Sequence, residues 1–235
     1  MADYVRKTIL SQGYVHIEAV QLTEEQKKQY EIELRTYQEP RAKRFLYSEV
    51  VPEVRTKDGS LIVYTTVYRS LAAALGTFVS FAYALDELYS SSKMLAEACV
   101  LESLFLNDAT RKQMLRSEAR TGVVKTSKDL FDAVWSLGQE LDGDADSRKE
   151  IGPRRISRAF QYIRDRAQFL ILQLTEDADR SLIIEQLGLA LRKLPKAPRR
   201  LATSRDRQIL NGYQEDRGFT IKFAQKLSSV GLPTD

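Results

Sequence analysis

The feature that most constrains this chain is a run of 26 residues, 60–85, in which Arg69 is the only charged side chain. Its first part, 61–68, is rich in β-branched and aromatic residues, which favour a strand. The part from Ser70 onward is rich in alanine and leucine, which favour a helix. The uncharged segment 70–85 is 16 residues long, just under the ~17 residues that cross a bilayer core. The run is therefore either a strand followed by a core helix or one membrane-seeking helix.

The energy of membrane insertion helps to weigh these two interpretations. As a single spanning helix, the run would gain roughly 3–6 kcal/mol from its Leu, Ile, Val and Phe residues. Arg69, near the middle, would cost about 2.5–3.5 kcal/mol, and the Ser, Thr and Gly residues add to that cost. Because the balance is marginal, the sequence favours a buried strand followed by an apolar helix over residues 70–88. Membrane association stays open as the alternative.

The residues before this run predict a small α+β unit. Alternation of apolar and polar residues over 14–20 indicates a half-buried strand, with Val15 and Ile17 facing inward. Thr23 and Gln26 have the spacing of a capping box, which marks the start of a helix.

That helix is expected to end near Tyr37, because Pro40 follows. A second strand is predicted over 45–54, where Pro52 cannot donate to a ladder and so indicates an edge strand or a break. The Asp58-Gly59 turn then leads into the strand 61–68. The order of elements over residues 14–68 is β-α-β-β.

From Ser70 the chain is predicted to be helical nearly to its end. Three sets of apolar residues recur at steps of three and four, and each set predicts the buried face of one helix. The set that begins at Ile156 is too short to define a coiled coil, so packing within a bundle is favoured over binding of a partner helix. The sets are Met94, Ala98, Leu101 and Phe105; Leu130, Val134, Leu137 and Leu141; and Ile156, Phe160, Ile163, Ala167, Leu170 and Leu174.

The predicted fold class is α+β and mostly helical, with an N-terminal β-α-β-β unit followed by a helical bundle. Turn residues and charges collect at 142–153 and again at 193–200, which indicates boundaries there. The expected regions are a small α+β unit (1–68), a helical region with the apolar helix 70–88 (69–147), and a basic helical C-terminal region (148–235).

The sequence offers little catalytic chemistry. A single histidine and a single cysteine do not supply a zinc site or a Cys-His nucleophile pair. No glycine-rich phosphate loop and no Gly-x-Ser-x-Gly elbow occurs. The series Asp142, Asp144 and Asp146 resembles the start of a calcium loop, but Pro153 stands where a bidentate glutamate is required. The sequence therefore predicts a protein without catalytic residues, metal or cofactor. The first ten residues lack the apolar run of a signal peptide, which indicates a cytoplasmic location. If residues 60–85 form a membrane-seeking helix, the protein is expected to be membrane-associated as well.

The net charge of +4 is unevenly distributed, since residues 152–235 hold 16 basic and 9 acidic side chains. The prolines Pro195 and Pro198 are expected to keep the segment 192–207 extended as a cationic arm. Such an arm can bind phosphates or anionic lipid without reading sequence. The expected partners are a protein or a second copy of the chain, an anionic lipid surface, and nucleic acid bound non-specifically. The polyanion-binding candidates are Arg154, Arg155, Arg158, Arg192, Lys193, Lys196, Arg199, Arg200, Arg205 and Arg207.

Three short motifs resemble one protein family. They are Lys57-Asp-Gly-Ser-Leu61, Ala84-Leu-Asp-Glu-Leu-Tyr-Ser-Ser-Ser-Lys93 and Glu118-Ala-Arg-Thr-Gly122. Together they are similar to the bacterial TRADD-N-associated membrane-domain proteins over residues 14–124. The resemblance implies a small β-α-β unit that ends in a hairpin, an apolar helix after it, and a place in a bacterial conflict or defence system. The resemblance implies no catalytic residues. The charged residue Arg69 differs from the uninterrupted apolar helix that the resemblance implies after the hairpin.

These observations predict a non-enzymatic interaction or membrane-associated component. The alternative is a nucleic-acid-associated helical protein that uses its basic C-terminal face.

Overall fold

A computed structural model describes residues 9–18, 20, 22–46, 48, 50–57, 59–75, 80–142, 151–196 and 207–227. Contacts divide the chain into two compact units, residues 1–125 (unit 1) and 126–235 (unit 2). Unit 1 contains a four-stranded sheet and helices, whereas the described residues of unit 2 are mainly helical. The predicted fold class, mostly helical α+β with a strand-helix-strand-strand unit at the amino end, is confirmed.

The sheet of unit 1 is antiparallel and has the strand order β2-β3-β1-β4. Lys57 pairs with Ser60 across the predicted hairpin turn, where Gly59 has a φ of 77°, a conformation that glycine adopts without steric cost. Pro52 lies in β2, an edge strand, as its missing donor predicts. The strands are β1 (Ile9–Glu18), β2 (Val50–Lys57), β3 (Ser60–Tyr68) and β4 (Met114–Arg120).

Strand β4 contradicts the expectation that the chain is helical from Ser70 nearly to its end. Its sequence, MLRSEAR, lacks the alternation of apolar and polar residues that indicates a half-buried strand, and its side chains are exposed or half-buried. The strand forms because its backbone pairs with β1, for example at Ser117 opposite Val15. Since β4 returns to β1, unit 1 extends to residue 125, and the division differs from the predicted boundaries at 68 and 147.

Helix α1 (Glu24–Leu46) begins at the predicted capping box. The backbone N–H of Gln26 donates to Thr23 Oγ1 at 3.2 Å, and the backbone N–H of Thr23 donates to Gln26 Oε1 at 2.8 Å. These two bonds satisfy backbone donors that the first helical turn leaves without a partner.

The predicted end of this helix near Tyr37 is wrong, because α1 continues through Pro40 to Leu46. Proline removes one backbone donor from the helix. Leu46 is only 1% exposed, however, and α1 packs against β2. The burial of Ala42 and Leu46 in the last two turns offsets the missing hydrogen bond.

The apolar run becomes a strand and then helices, so the strand interpretation of residues 61–68 is confirmed. Strand β3 is followed by α2 (Leu71–Leu75) and α3 (Phe81–Leu106). The single helix predicted over 70–88 is wrong, since Ser80 is extended with φ −123° and ψ 121°. Residues 76–79 lie outside the described part of the chain.

Arg69 is accommodated at the end of the strand. Its Nη1 donates to the carbonyl oxygen of Leu46 at 2.6 Å, and its Nη2 donates to that of Ala73 at 2.9 Å. Among the helices that the structure describes, none has the length and apolar character needed to cross a bilayer.

Helix α3 packs on the sheet with a different face from the predicted one. The stripe expected to be buried is exposed, by 46% at Met94, 60% at Leu101 and 78% at Phe105. The side that faces the sheet instead includes Leu95 and Cys99, each 1% exposed. Both sides of this helix have apolar residues at helical spacing, so periodicity alone could not tell which side is buried.

Helix α3 lies very close to β1 at Gly13. A Cβ atom built on Gly13 would lie 2.5 Å from the Cβ of Cys99 and 2.9 Å from the carbonyl oxygen of Ala96. Nearby, Ser11 Oγ donates to the carbonyl oxygen of Ser92 at 2.7 Å. With α1 between β1 and β2, and α3 between β3 and β4, unit 1 has the β-α-β-β-α-β order of ferredoxin-like folds.

The helices of unit 2 bury the remaining two predicted stripes. Every member of the sets beginning at Leu130 and at Ile156 is at most 3% exposed, so these predicted packing faces are confirmed. Helix α7 packs against α5 and α6. The elements are α4 (Gly122–Asp142), which begins in unit 1, α5 (Pro153–Gln173), α6 (Asp177–Lys193) and α7 (Arg207–Leu227).

Candidate functional site

The sheet of unit 1 has two unlike faces. One face packs under α1 and α3 and contributes Val15 and Val63 to the core. Because side chains alternate along a strand, the intervening residues point to the opposite face, here called the outer face. The strand registers align its residues in three rows across β2, β3, β1 and β4. The rows are Arg55, Ile62, His16 and Arg116; Glu53, Tyr64, Tyr14 and Glu118; and Val51, Thr66, Gln12 and Arg120.

Two tyrosines form the centre of the outer face. Tyr14 on β1 and Tyr64 on β3 are directly paired, and their ring centroids lie 5.2 Å apart with an interplanar angle of 53°. The guanidinium carbon of Arg120 lies 4.8 Å from the Tyr14 centroid, and that of Arg55 lies 5.8 Å from the Tyr64 centroid. Both distances are within the range of cation–π attraction. Burial, and secondarily Tyr64, raise the pKa of Tyr14.

One carboxylate, that of Glu118, orients two arginines of this face. Glu118 accepts hydrogen bonds from Arg116 and Arg120, and the bond from Arg120 is the main cause that lowers the pKa of Glu118. Arg120 Nη1 also donates to Gln12 Oε1 at 3.0 Å, and Gln12 Nε2 donates to Thr66 Oγ1 at 2.8 Å. This chain of bonds crosses three strands and fixes Arg120 over the Tyr14 ring.

The outer face differs in accessibility from one position to the next. Tyr14 is 8% exposed, whereas Tyr64 is half-buried. The side chains of Arg55 and Arg116 are 63% and 66% exposed, against 18% for Arg120. A ligand can therefore reach the Tyr64 ring between two accessible guanidinium groups, with Arg120 as a fixed third group.

The only histidine does not activate a serine. His16 Nε2 lies 2.6 Å from Ser60 Oγ, and Ser60 Oγ donates to the carbonyl oxygen of Lys57 at 2.6 Å. Since the hydroxyl proton is used in the bond to Lys57, His16 Nε2 must be the donor to Ser60. A nucleophilic serine needs the opposite direction, in which the imidazole accepts the hydroxyl proton.

The single cysteine is enclosed between α3 and β1. Burial raises the pKa of Cys99 to about 12, so its thiol remains protonated at neutral pH. In the part of the chain that the structure describes, no cluster of three or more His, Cys, Asp and Glu side chains could hold a metal ion.

We expect Cys99 in the folded protein not to react with a thiol reagent such as Ellman's reagent at mildly alkaline pH, because only the thiolate attacks. The same thiol should react at once when the chain is unfolded in urea. Because its pKa is raised from 9.0 to about 12, the protonated thiol contributes full stability below about pH 9. That contribution should be lost as pH rises toward about 12. Equal reaction rates in folded and unfolded protein would contradict this prediction.

The polyanion-binding candidates lie in several elements of unit 2. Arg154, Arg155 and Arg158 are exposed in the first turns of α5, where Arg155 Nη2 donates to Glu140 Oε1 at 2.6 Å. A cavity of about 360 Å³ between α5 and α7 is lined by Arg154 and Gln208. The beginnings of these two helices, and hence Arg154 and Arg207, therefore lie at the same end of unit 2.

The extended arm predicted over residues 192–207 is wrong at its two ends. Arg192 and Lys193 form the last turn of α6, and Arg207 is the first residue of α7. Basic residues in the last turn favour the helix through its dipole, and the chain leaves the helix just before Pro195. Lys196 is exposed, and Arg199, Arg200 and Arg205 lie outside the described residues.

Sequence patterns did not point to the outer face. Tyr14 lies in a predicted strand and Tyr64 in another, but their pairing depends on the order in which the strands join. Arg116 and Arg120 come from β4, which the sequence does not predict. The alternation of Arg116, Glu118 and Arg120 is the one local signal that could have indicated a strand with a charged face.

Comparison of the chain with family models, with curated proteins and with solved structures gives no match. The fold and the site define a class of protein: a β-α-β-β-α-β unit whose sheet has an aromatic and arginine-rich outer face, joined to a helical unit.

Proposed function

We propose that this protein is a non-catalytic binding protein that holds single-stranded nucleic acid on the outer face of unit 1. The observation that supports it is the Tyr14 and Tyr64 pair on the two central strands, with Arg55, Arg116 and Arg120 around it. Bases of single strands stack on aromatic rings and on arginine planes of four-stranded sheets. The ferredoxin-like order adds only a likeness of fold, and the proposal rests on the side chains of this face.

The groups on the outer face can contact the bases and the phosphates of a single strand. The half-buried Tyr64 ring offers one stacking surface, and the guanidinium plane of Arg120 over Tyr14 offers a second. Arg55 and Arg116 are exposed and can contact phosphates on either side. The three arginines exceed the carboxylates Glu53 and Glu118 by one positive charge, so the face retains a net attraction for a phosphate backbone.

The outer face is expected to discriminate little between base sequences. Gln12 and Thr66, the polar side chains best suited to base edges, are 8% and 3% exposed and bond to each other. Stacking is tolerant of sequence, because every base has a π face. Single strands should be preferred over duplexes, whose bases are already stacked.

Binding of a labelled mixed-sequence oligonucleotide, followed by fluorescence anisotropy at several salt concentrations, tests the proposal. We expect Tyr64→Ala to weaken binding about 5- to 100-fold, which corresponds to the loss of one stacked base. The binding constant falls with salt, and the slope of its logarithm against the logarithm of salt concentration measures the number of phosphate contacts. The double change Arg55→Ala with Arg116→Ala should make this slope shallower by about 1 to 2.

The matched control is Tyr37→Ala, because Tyr37 also lies under an arginine but on α1, with the Arg41 guanidinium carbon 3.7 Å from its ring centroid. It should bind like the unchanged protein. Absence of binding at low salt, or equal losses for Tyr64→Ala and Tyr37→Ala, would show that the outer face is not the site.

The exposed cations of unit 2 favour a second, non-specific contribution to nucleic-acid binding. Arg154, Arg158, Lys193 and Lys196 are all exposed, and contacts from such cations to phosphates carry no base-sequence information. In the same assay, Arg154→Glu with Arg158→Glu should weaken duplex and single-strand binding by similar factors. If only the affinity for single strands fell, these residues would instead contribute to the binding of single strands on the outer face.

A further inference from the structure

Strand β3 has a third tyrosine on the outer face, Tyr68, at its carboxyl end. Side chains alternate along a strand, so Tyr68 points to the same face as Tyr64, whereas Val67, 0% exposed, points into the core. Tyr68 is 38% exposed. Among the described residues, no guanidinium group lies over its ring, unlike the rings of Tyr14 and Tyr64. Its ring is therefore an accessible aromatic surface beside the site proposed above.

The exposed surface between Tyr64 and Tyr68 is apolar. Thr66, which lies between them on β3, is only 3% exposed, and its neighbour Gln12 on β1 is 8% exposed. Val51, paired with Thr66 on the β2 side, is 45% exposed. The side chain that a ligand meets between the two rings is therefore that of Val51, which can pack against the flat face of a base.

The opposite end of β3 does not offer such a surface. Ser60, on the outer face at that end, is 8% exposed. Its Oγ already donates to the carbonyl oxygen of Lys57 at 2.6 Å and accepts from His16 Nε2 at 2.6 Å. A single strand with one base on Tyr64 therefore meets its next aromatic ring along β3 in the direction of Tyr68.

We propose that a bound single strand runs along β3, with one base stacked on Tyr64, another on Tyr68 and an intervening nucleotide over Val51. This inference rests on the proposed function and assigns a path and a further stacking residue to the same face. The two tyrosines are four residues apart, which corresponds to about 14 Å along the strand. Adjacent stacked bases lie only about 3.4 Å apart, so the bases on the two rings are not neighbours in the nucleic acid.

The anisotropy assay described above, with the variant Tyr68→Ala, tests this path. We expect the affinity for a mixed-sequence single strand to fall about 5- to 100-fold, which corresponds to the loss of one stacked base. The salt slope should not change, because the variant removes no cation. Tyr68→Phe keeps the ring and should bind like the unchanged protein. The matched control is Tyr162→Ala on α5, since Tyr162 is 44% exposed and lies in unit 2, and it should leave the affinity unchanged.

Photochemical cross-linking measures the path on the unchanged protein, so it does not depend on the folding of a variant. The probe is a single strand that contains two 5-bromouracils, irradiated in the complex and mapped by mass spectrometry. Two 5-bromouracils with about one to three nucleotides between them, a spacing that spans about 14 Å, should cross-link to both Tyr64 and Tyr68 of one chain. Two adjacent 5-bromouracils should cross-link to only one of these tyrosines.

The outcomes distinguish a wrong path from a wrong function. If Tyr64→Ala weakens binding, Tyr68→Ala does not, and cross-links form at Tyr64 alone, the strand crosses the sheet instead. That result would overturn the path along β3 and leave the proposed function standing. If neither variant weakens binding, the outer face is not the site and both proposals fail. Equal losses for Tyr68→Ala and Tyr162→Ala would also overturn the stacking role of Tyr68.

Discussion

Replacing Phe160 by alanine is expected to lower the free energy of unfolding of unit 2 by about 3–5 kcal/mol. The Phe160 side chain is 0% exposed, and its ring centroid lies 5.9 Å from that of Tyr213 on α7. Truncation would leave a cavity between α5 and α7, lined by groups that cannot all close the gap. Urea denaturation followed by tryptophan fluorescence measures this loss, because the single tryptophan, Trp135, lies in unit 2.

Phe219→Ala is the matched control for that experiment. Phe219 is 59% exposed on α7, with the Arg164 guanidinium carbon 5.1 Å from its ring centroid. Its removal costs only an exposed cation–π contact, about 0.5–1 kcal/mol. Similar losses for the two phenylalanines would contradict the packing of α5 on α7.

Gly13→Ala is expected to destabilise unit 1 by about 1–3 kcal/mol. The added methyl group would meet the Cys99 Cβ at 2.5 Å and the Ala96 carbonyl oxygen at 2.9 Å. Neither atom is the end of a flexible side chain, so α3 as a whole must move away from β1. Hydrogen exchange followed by mass spectrometry should show faster exchange in peptides from β1 and α3.

The control for this substitution is Gly218→Ala in α7, where a Cβ would have no neighbour within 4 Å. There the same chemical change should stabilise the helix by about 0.5–1 kcal/mol, because glycine loses more backbone entropy on folding. If Gly13→Ala also proved neutral or stabilising, the close approach of α3 to β1 would be wrong.

Features that depend on near neighbours along the chain could be predicted from the amino-acid sequence. The capping box at Thr23 and the hairpin turn at Gly59 follow from local backbone chemistry, which also restricts Pro52 to an edge strand or a break. The buried stripes of α4 and α5 follow from helical period, because the longest series of apolar residues at helical spacing lies on one side of each helix.

Where a local pattern allowed two structures or indicated none, contacts between distant parts of the chain select the observed one. Helix α1 passes Pro40 because Leu46 is buried beyond it, and β4 is a strand because β1 offers it a backbone partner. Helix α3 has apolar residues on two sides, and the close approach at Gly13 selects the side of Cys99 over that of Leu101. The outer face joins Tyr14, Tyr64 and Arg116 from three strands. Their proximity depends on strand order, which side-chain patterns along a single strand do not encode.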